Sequence, residues 1–357
     1  MSSPASILPD WAWSIGRPEA SGVIRSRPED FRVSELPLVE PDGEGNHLWL
    51  EVEKTGANTN WVAGELARAA GVKQRDVGFA GMKDRHGVTS QWFSIGLQEA
   101  ASSDWRSWSI EGVTFLQAHR HGRKLRRGTL AGNRFCIVVR QLEGDTEALL
   151  ERIEKISLRG VPNYFGAQRF GHGGRNVERA RHWLLNGGRI RRNQRGIYLS
   201  SARSLLFNNV LSARIEQGNW NRLLDGEAAQ LNGRSAVFVC ELPDEELERR
   251  CAEFEIHPTG PLPGRGDALS KGAAAVLEST VLAREQALVE ALAAAGVDAA
   301  RRSLRVHPAG LECELDGDRL ALEFSLPAGA YATSLLRELV STRDGSILKG
   351  SAVEGAE

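Results

Sequence analysis

A carboxylate between two cations is the strongest candidate for chemistry in this chain. Asp84 lies in GFAGMKDRHGVTSQW, with Lys83 before it and Arg85 after it. Positive charge at close range favours the ionised form of a carboxylate, which can then act as a nucleophile or a general base at neutral pH. An Asp beside Lys and Arg is also common on protein surfaces, so this triplet alone leaves a purely structural role open.

A strongly basic stretch follows this triplet along the chain. The whole protein has 357 residues and a formal net charge of -1, but residues 120–203 hold 19 Lys and Arg against 6 Asp and Glu. A basic segment on a nearly neutral protein predicts a face that neutralises nucleic-acid phosphates, with a solvated helix face as the alternative. The densest cluster comprises Arg120, Arg123, Lys124, Arg126 and Arg127.

Metal and redox sites are not indicated by the other polar residues. His119, His121 and His172 lack the helical spacing or neighbouring Cys of metal sites, so we predict no metal. The chain also contains four scattered cysteines, Cys136, Cys240, Cys251 and Cys313. None forms a Cys-x-x-Cys pair, as expected of reduced thiols in a cytosolic protein.

The composition is that of an ordinary globular protein. Hydrophobic residues make up 41% and charged residues 25% of the chain, and no apolar stretch has the length of a membrane span. The first twenty residues lack the basic segment and apolar core of a secretion signal. We therefore expect a cytoplasmic protein, long enough to divide into two domains.

The local pattern places Asp84 on a loop between two strands. Extended runs on either side of a PDGEGN turn predict two strands within residues 22–52, and a helix is expected over residues 61–70, with Gly71 ending it. VGFA and VTSQWFSI predict strands before and after GMKDRHG. A rigid scaffold can hold a reactive side chain on such a loop.

Beyond this region the pattern predicts alternating strands and helices. We expect further strands to about residue 140, then helices over residues 146–156, 177–185 and 201–216. An Ala/Leu-rich run predicts one helix over residues 273–295. The segment LALEFSLPAGAYATSLLREL predicts a strand, a Gly turn and a final helix.

Eight phrases, in one order along the chain, resemble the tRNA pseudouridine synthase D family. They are RSRPEDFRV, PDGEGNHL, NTNWVAGELA, FAGMKDRHGVTSQW, HGRKLRRGTLAGNRF, GVPNYFGAQRFG, SARSLLFN and LPAGAYATSLLREL. The resemblance implies an α/β (α+β) protein with the pseudouridine synthase fold. Its catalytic domain, residues 1–159 and 307–357, would have a long twisted, mainly antiparallel sheet, and residues 160–306 would form an inserted second α/β domain.

The same resemblance implies an isomerase that needs no cofactor. Asp84 matches the catalytic aspartate of the family, in which the uracil detaches from C1′, turns and is rejoined through C5. Attack by the Asp on C1′ and action chiefly as a base both stay open. Bacterial members act on uridine 13 of tRNA(Glu), so the expected partner is tRNA, with no membrane and no obligate protein partner.

Three aromatic residues fall within the matched phrases. Phe31 lies in PEDF, Phe135 in GNRF and Tyr331 in PAGAYATS, and the resemblance puts these motifs at the border of the uridine pocket. Aromatic side chains there would replace the stacking that an extruded base loses. Ordinary core packing is the alternative for each of them.

Three polar residues complete the predicted substrate-binding set. Asn133 of GNRF can donate and accept hydrogen bonds, so it can contact the imide edge of uracil or orient Asp84, although Asn after Gly is also a common turn residue. Arg25 lies where the family allows Lys, and it could pair with Asp84 or with a phosphate. Lys83 belongs to the matched phrase around Asp84.

The sequence leaves two other functions open. One is an RNA-binding protein that does no chemistry, which the presence of Asp84 with Lys83 and Asn133 disfavours. The other is an RNA hydrolase with Asp84 as a general base. A hydrolase would need a partner acid or a metal cluster, and the sequence indicates neither.

Overall fold

The computed structural model describes residues 7–97 and 104–346. This part of the chain divides into two compact units. The first, named here the sheet unit, comprises residues 19–97, 104–146, 308–329 and 340–346. The second, named the helical unit, comprises residues 7–18, 147–307 and 330–339. The catalytic domain and insertion predicted from the sequence have different bounds, and that division stays a prediction.

The described chain contains both strands and helices. The strands are β1 (Ser21–Ile24), β2 (Phe31–Pro37), β3 (His47–Thr55), β4 (Val77–Phe79), β5 (Val88–Gly96), β6 (Val113–His121), β7 (Leu130–Glu143), β8 (Val161–Pro162), β9 (Glu227–Leu231), β10 (Val237–Cys240), β11 (Ile256–Leu262), β12 (Ala300–Ser303), β13 (Arg305–Val306), β14 (Ala309–Asp316), β15 (Arg319–Pro327) and β16 (Ser341–Asp344). The helices are α1 (Thr59–Ala70), α2 (Thr146–Arg159), α3 (Arg175–Asn186), α4 (Arg192–Glu216), α5 (Glu245–Ala252), α6 (Gly272–Leu282), α7 (Gln286–Ala294) and α8 (Ala332–Leu339).

The sheet unit is built on one ten-stranded sheet. Its main path runs β14-β15-β7-β2-β5-β3-β6, with β1 paired to β7 and β16, and β4 paired to β5. Only the β1–β16 and β2–β5 pairs are parallel. The predicted α+β fold with a mainly antiparallel sheet is therefore confirmed.

Strand β3 and helix α1 form a large part of the core of the sheet unit. Leu48, Leu50 and Val52 alternate along β3, so they share one face of the strand, where they pack with Val62 and Leu66 of α1. The helix ends at Gly71, whose φ of 70° lies in the left-handed region, as the sequence predicts. This packing fixes the strand and helix from which the loop around Asp84 is held.

The prediction of two strands within residues 22–52 is wrong, because three form. The first extended run is interrupted after β1 by Arg25, whose φ is 56°, and then by a 3-10 turn over Pro28–Asp30. The carboxylate of Asp30 accepts a hydrogen bond of 3.0 Å from the backbone N–H of Arg27 and pairs with the guanidinium of Arg140. These contacts stabilise the turn, and β2 begins only at Phe31.

The prediction of one helix over residues 273–295 is also wrong. Helix α6 ends at Leu282, a 3-10 turn covers Ala283–Glu285, and α7 follows. Glu285 leaves helical geometry, with φ -128° and ψ 28°, and its carboxylate is held by the guanidinium of Arg181 on α3. The two partners of this ion pair are far apart in sequence, so the local pattern did not reveal the break.

The helical unit is organised around the long helix α4. Leu205, Phe207 and Leu211 of this helix are fully or almost fully buried in a core cluster of the unit. Strands β10-β9-β11-β12 form a four-stranded sheet in the same unit, and β8 pairs with β13. Among the helices described, none is long and apolar enough to cross a membrane.

Candidate active site

The loop over residues 81–87, named here the Asp84 loop, is attached to the sheet unit by a short hydrogen-bond chain. The hydroxyl of Thr59 donates to Oε1 of Gln91 at 2.9 Å and accepts from the backbone N–H of Lys83 at 3.1 Å. Nε2 of Gln91 donates to the carbonyl oxygen of Gly81 at 3.2 Å. Thr59 and Gln91 are fully buried, so helix α1 and strand β5 fix the start of the loop.

The carboxylate of Asp84 is held by two donors while part of it faces solvent. Nη2 of Arg25 donates to Oδ2 of Asp84 at 2.8 Å, and the backbone N–H of His86 donates to Oδ1 at 3.0 Å. The side chain of Asp84 is 28% exposed. This arrangement leaves a carboxylate in a defined orientation that a substrate can reach.

Arg25 is itself fixed from three sides. Its Nη1 donates to Oδ2 of Asp344 at 2.8 Å, and its guanidinium carbon lies 4.1 Å from the centre of the Phe31 ring. Burial alone would raise the pKa of Asp344, but hydrogen bonds from Ser346 and Arg25 outweigh it and hold that pKa below its usual value. The backbone of Arg25 is in the left-handed region, which is strained for a residue with a Cβ.

Lys54 supports the backbone of the Asp84 loop from within the protein. Its Nζ donates to the carbonyl oxygen of Asp84 at 3.1 Å and to that of Ala57 at 2.8 Å. Only 1% of Lys54 is exposed. Burial lowers the pKa of Lys54 to about 8, although the charge of Asp84 opposes the shift.

A second buried charge cluster lies beside the loop. Nζ of Lys83 is 3.0 Å from Oε2 of Glu35 and donates to Oδ1 of Asn133 at 2.6 Å. Glu35 and Asn133 are direct partners in the β2–β7 ladder, so their side chains emerge on the same face of the sheet. Burial raises the pKa of Glu35, while the charge of Lys83 opposes that rise.

Two of the three predicted pocket aromatics lie in the sheet unit and are buried. Phe31 contacts Arg25, and Phe135 stacks on Phe324 with ring centres 5.3 Å apart. Both residues are less than a tenth exposed. Each ring therefore has a packing role, and its contact with a uridine stays a prediction.

Tyr331 belongs to the helical unit. Its hydroxyl accepts a hydrogen bond of 2.5 Å from Nη2 of Arg169, whose Nη1 donates to Ser200 at 3.0 Å. These residues border a cavity of about 840 Å³ that Asn176 and Gly196 also line. The role of Tyr331 in binding a uridine stays a prediction.

The predicted phosphate-binding cluster, residues 120–127, lies against the strand that leads to the Asp84 loop. The N–H of Leu125 donates to the Ser94 hydroxyl at 2.8 Å, and the N–H of Gly128 donates to the carbonyl oxygen of Ala80 at 2.8 Å. The Arg127 guanidinium lies 5.4 Å from the centre of the Phe79 ring. The arginines of the cluster, Arg120, Arg123, Arg126 and Arg127, are exposed, and Lys124 is half-buried.

The histidines have separate surroundings. Nδ1 of His121 lies 2.9 Å from Oδ2 of Asp42, His119 contacts Gln117, and His172 is exposed. Over residues 7–97 and 104–346, no three His, Cys, Asp or Glu side chains are grouped as metal ligands would be.

Sequence reasoning missed Glu35, Lys54 and Asp344. The first two had a signal: Glu35 follows Phe31 and Val33 on the buried face of β2, and Lys54 extends the buried alternation of β3. A charged residue at a core-facing position has to be paired or functional. Asp344 gave no such signal, because its strand is short and three of its four residues are exposed.

Comparison with known proteins gives one consistent result. Residues 12–187 and 175–339 match the family model described as tRNA pseudouridine synthase D (TruD). A tRNA pseudouridine synthase D from Methylococcus capsulatus is 49% identical over 327 residues, which cover 91% of this chain and 92% of that protein. One from Nitrosococcus oceani is 47% identical over 333 residues, covering 92% of each chain.

A solved structure supports the fold. The crystal structure of a Methanosarcina mazei protein assigned to tRNA pseudouridine synthase D superimposes with a TM-score of 0.71. The match covers 92% of this chain and 95% of that one at 24% sequence identity. At this identity the likeness establishes the fold alone.

Proposed function

We propose that this chain, which belongs to the tRNA pseudouridine synthase D family, isomerises uridine 13 of tRNA(Glu) with Asp84 as the reacting carboxylate. Family membership makes the chain an isomerase that converts uridine to pseudouridine in tRNA. One observation supports the residue above all others. Asp84 is held in one orientation by Arg25 and by the N–H of His86, yet its side chain is partly accessible.

The reaction rearranges bonds within the substrate and neither adds nor removes an atom. The bond between C1′ and N1 of the uracil breaks, a bond between C1′ and C5 forms, C5 loses a proton and N1 ends with one. A carboxylate can attack C1′ as a nucleophile or take the proton as a base, and both roles need its charged form. The guanidinium of Arg25 pairs with the carboxylate and fixes the direction of Oδ2, so little reorganisation is needed when the substrate arrives.

Asn133 is the best candidate to contact the uracil edge. Its Oδ1 accepts from Lys83, so the amide can offer its two N–H groups to a carbonyl oxygen of the base. The charge on Lys83 is balanced by Glu35, which keeps the ammonium group beside Asn133. In this proposal Lys83 and Glu35 act through Asn133 as positioning residues.

The basic cluster of residues 120–127 fits the docking of RNA. Its arginines are exposed, and the backbone that follows it is bonded to Ala80, directly before the Asp84 loop. Phosphate contacts fix the position of a nucleic acid without reading its sequence. Extraction of the uridine from its stack then lets the base reach Asp84.

The test is carbodiimide mapping of pseudouridine in a tRNA(Glu) transcript after incubation with wild-type protein and with Asp84→Asn. The substitution keeps the shape of the side chain and removes its charge. Asp316→Asn is the matched control, because Asp316 is exposed on the β14–β15 turn of the same unit. We expect pseudouridine at position 13 with wild type and with the control, and none with Asp84→Asn.

Two results would overturn parts of the proposal. Pseudouridine formed by Asp84→Asn at the wild-type rate would remove Asp84 from the chemistry. A transcript that binds the wild type and stays unmodified at position 13 would reject this substrate, and mapping total tRNA would then locate the uridine used.

A further inference from the structure

The segment that contains α3, the following turn and the start of α4 has a high density of positive charge. Residues 172–197 contain seven arginines and one acidic residue, Glu178. Six of these arginines are exposed and form what we name the arginine surface: Arg175, Arg179, Arg189, Arg191, Arg192 and Arg195. The seventh, Arg181, is paired with Glu285 and is not part of it.

The charges of the arginine surface are not neutralised within the unit. Across residues 7–97 and 104–346, no carboxylate lies within ion-pair distance of any of the six guanidinium groups. The guanidinium of Arg195 donates to the carbonyl oxygen of Ala295. Glu178 lies on α3 with Arg175 and Arg179 but forms no ion pair with either. Like charges grouped in this way repel one another, which opposes folding unless an anion binds them.

The position of three of these arginines adds to that repulsion. Arg191, Arg192 and Arg195 lie at the start of α4, a helix of 25 residues with no acidic residue in its first turn. The N-terminal end of a helix carries partial positive charge from its N–H groups, so cations there are unfavourable and anions are favoured. The N-terminal end of α4 and the arginine side chains therefore both favour binding of an anion.

The arginine surface also borders one cavity of the helical unit, and residues next to it in sequence line a second. Arg179, His182 and Arg189 line one of about 510 Å³, whose wall includes Trp183 and Tyr198. On the other side of α4, Gly196 and Ile197 line the cavity that contains Arg169 and Tyr331. Arginines beside aromatic rings and a groove are typical of surfaces that follow a nucleic-acid backbone.

We propose that the arginine surface is a second docking site for tRNA, which binds backbone phosphates of the substrate and contributes to affinity without taking part in the chemistry. The inference rests on the proposed function for the identity of the polyanion. Arg175 and Arg179 are four residues apart and share one face of α3, so they can contact neighbouring phosphates along one strand. Point charges at a surface suit phosphates, and no base-reading geometry is required.

The experiment measures binding separately from catalysis. The dissociation constant of tRNA(Glu) is determined over a series of salt concentrations for wild type and for the triple variant Arg189→Gln, Arg191→Gln, Arg192→Gln. Removal of each phosphate contact should reduce the slope of log Kd against log salt by about 0.7 to 0.9, so a total reduction of about two to three is expected for three contacts. The rate at saturating tRNA should not change.

Two further variants make the result specific. A control triple, Arg234→Gln, Arg249→Gln and Arg265→Gln, removes the same charge from exposed positions elsewhere in the helical unit and should keep the wild-type slope. The triple variant with Lys at positions 189, 191 and 192 preserves the charge and should also keep the wild-type slope. It tests the role of the charge even if the Gln variant folds poorly.

The outcomes separate this inference from the proposed function. An equal reduction of the slope in the control triple, or an unchanged slope in the Gln variant, would overturn the docking site. Failure of wild type to modify uridine 13 leaves the binding measurement intact, because it uses Kd and its salt dependence alone. Binding of a DNA duplex with the same slope and affinity would overturn the assignment to tRNA.

Discussion

At the scale of single residues, Lys54 couples the Asp84 loop to pH. Its ammonium group is buried and donates to the carbonyl oxygen of Asp84, and burial lowers its pKa from 10.5 to about 8. Between these two values the unfolded chain binds one more proton than the folded chain. The cost of burying the charge is therefore fully present below pH 8 and decreases as the pH rises above it.

The Lys54→Met variant should lose this dependence. From about pH 7 to about pH 9, the free energy of unfolding of wild type should rise by roughly 1 kcal/mol relative to Lys54→Met, because only wild type sheds the buried charge. Urea unfolding at a series of pH values measures the difference. Lys73→Met removes an exposed lysine of the same unit and should follow wild type. Parallel pH profiles for wild type and Lys54→Met would contradict the prediction.

The limits of sequence reasoning are clearest at the contacts of Asp84. The loop and its two flanking strands were predictable, since GMKDRHG lies between two consecutive apolar runs. The sequence predicted the pair between Arg25 and Asp84 only as one of two possibilities, the other being a contact of Arg25 with a phosphate. The second partner of Arg25, Asp344, is 319 residues away in sequence, and the left-handed backbone of Arg25 breaks the local rule for its residue type. Such contacts follow from the folded sheet, in which β1 and β16 pair.

At the scale of elements, the far end of the Asp84 loop depends on a close backbone approach. Gly87 is buried where the loop enters β5, and a Cβ at this position would lie 2.3 Å from the carbonyl oxygen of Phe31. That oxygen belongs to the first residue of β2 and cannot move without shifting the sheet. Gly87 is therefore needed for its small size.

Gly87→Ala should displace the loop and reduce activity. We expect a loss of about 1–3 kcal/mol in stability from the clash, and a fall in kcat of about tenfold or more in the folded protein because Asp84 moves from its orientation. Gly81→Ala is the matched control at the other end of the loop, where an added Cβ has no atom within 4 Å and φ is not positive. Equal kcat for Gly87→Ala and Gly81→Ala would contradict the role of the close approach.

Helix bounds were predictable only where the apolar period continued. Helix α4 was expected from residue 201, but it begins at Arg192. The sequence did not predict its first turns because their residues are mostly polar and exposed, so they show no apolar period. Conversely, the Ala/Leu-rich run over residues 273–295 has no Gly or Pro before residue 295 to mark the turn at Ala283–Glu285. Its break depends on the partner of Glu285, which lies in another helix.

At the scale of the whole molecule, a net charge of -1 hides an uneven distribution. The cluster of residues 120–127 and the arginine surface are both basic, whereas residues 241–255 contain seven acidic residues. The two basic regions belong to different compact units. A polyanion responds to such local charge rather than to the net charge, because screening limits each interaction to about 10 Å at moderate salt.

If both basic regions bind the same tRNA molecule, their contributions to the salt dependence should add. The variant Arg120→Gln, Arg123→Gln, Arg126→Gln and the triple Gln variant of the arginine surface should each reduce the slope of log Kd against log salt, by about 0.7 to 0.9 for every phosphate that is no longer neutralised. The six-fold variant should show the sum of the two reductions, since each region would neutralise phosphates of its own. A six-fold variant with the slope of either triple variant would contradict additive binding of one tRNA molecule by both regions. Measurement of the binding stoichiometry distinguishes one shared tRNA from two.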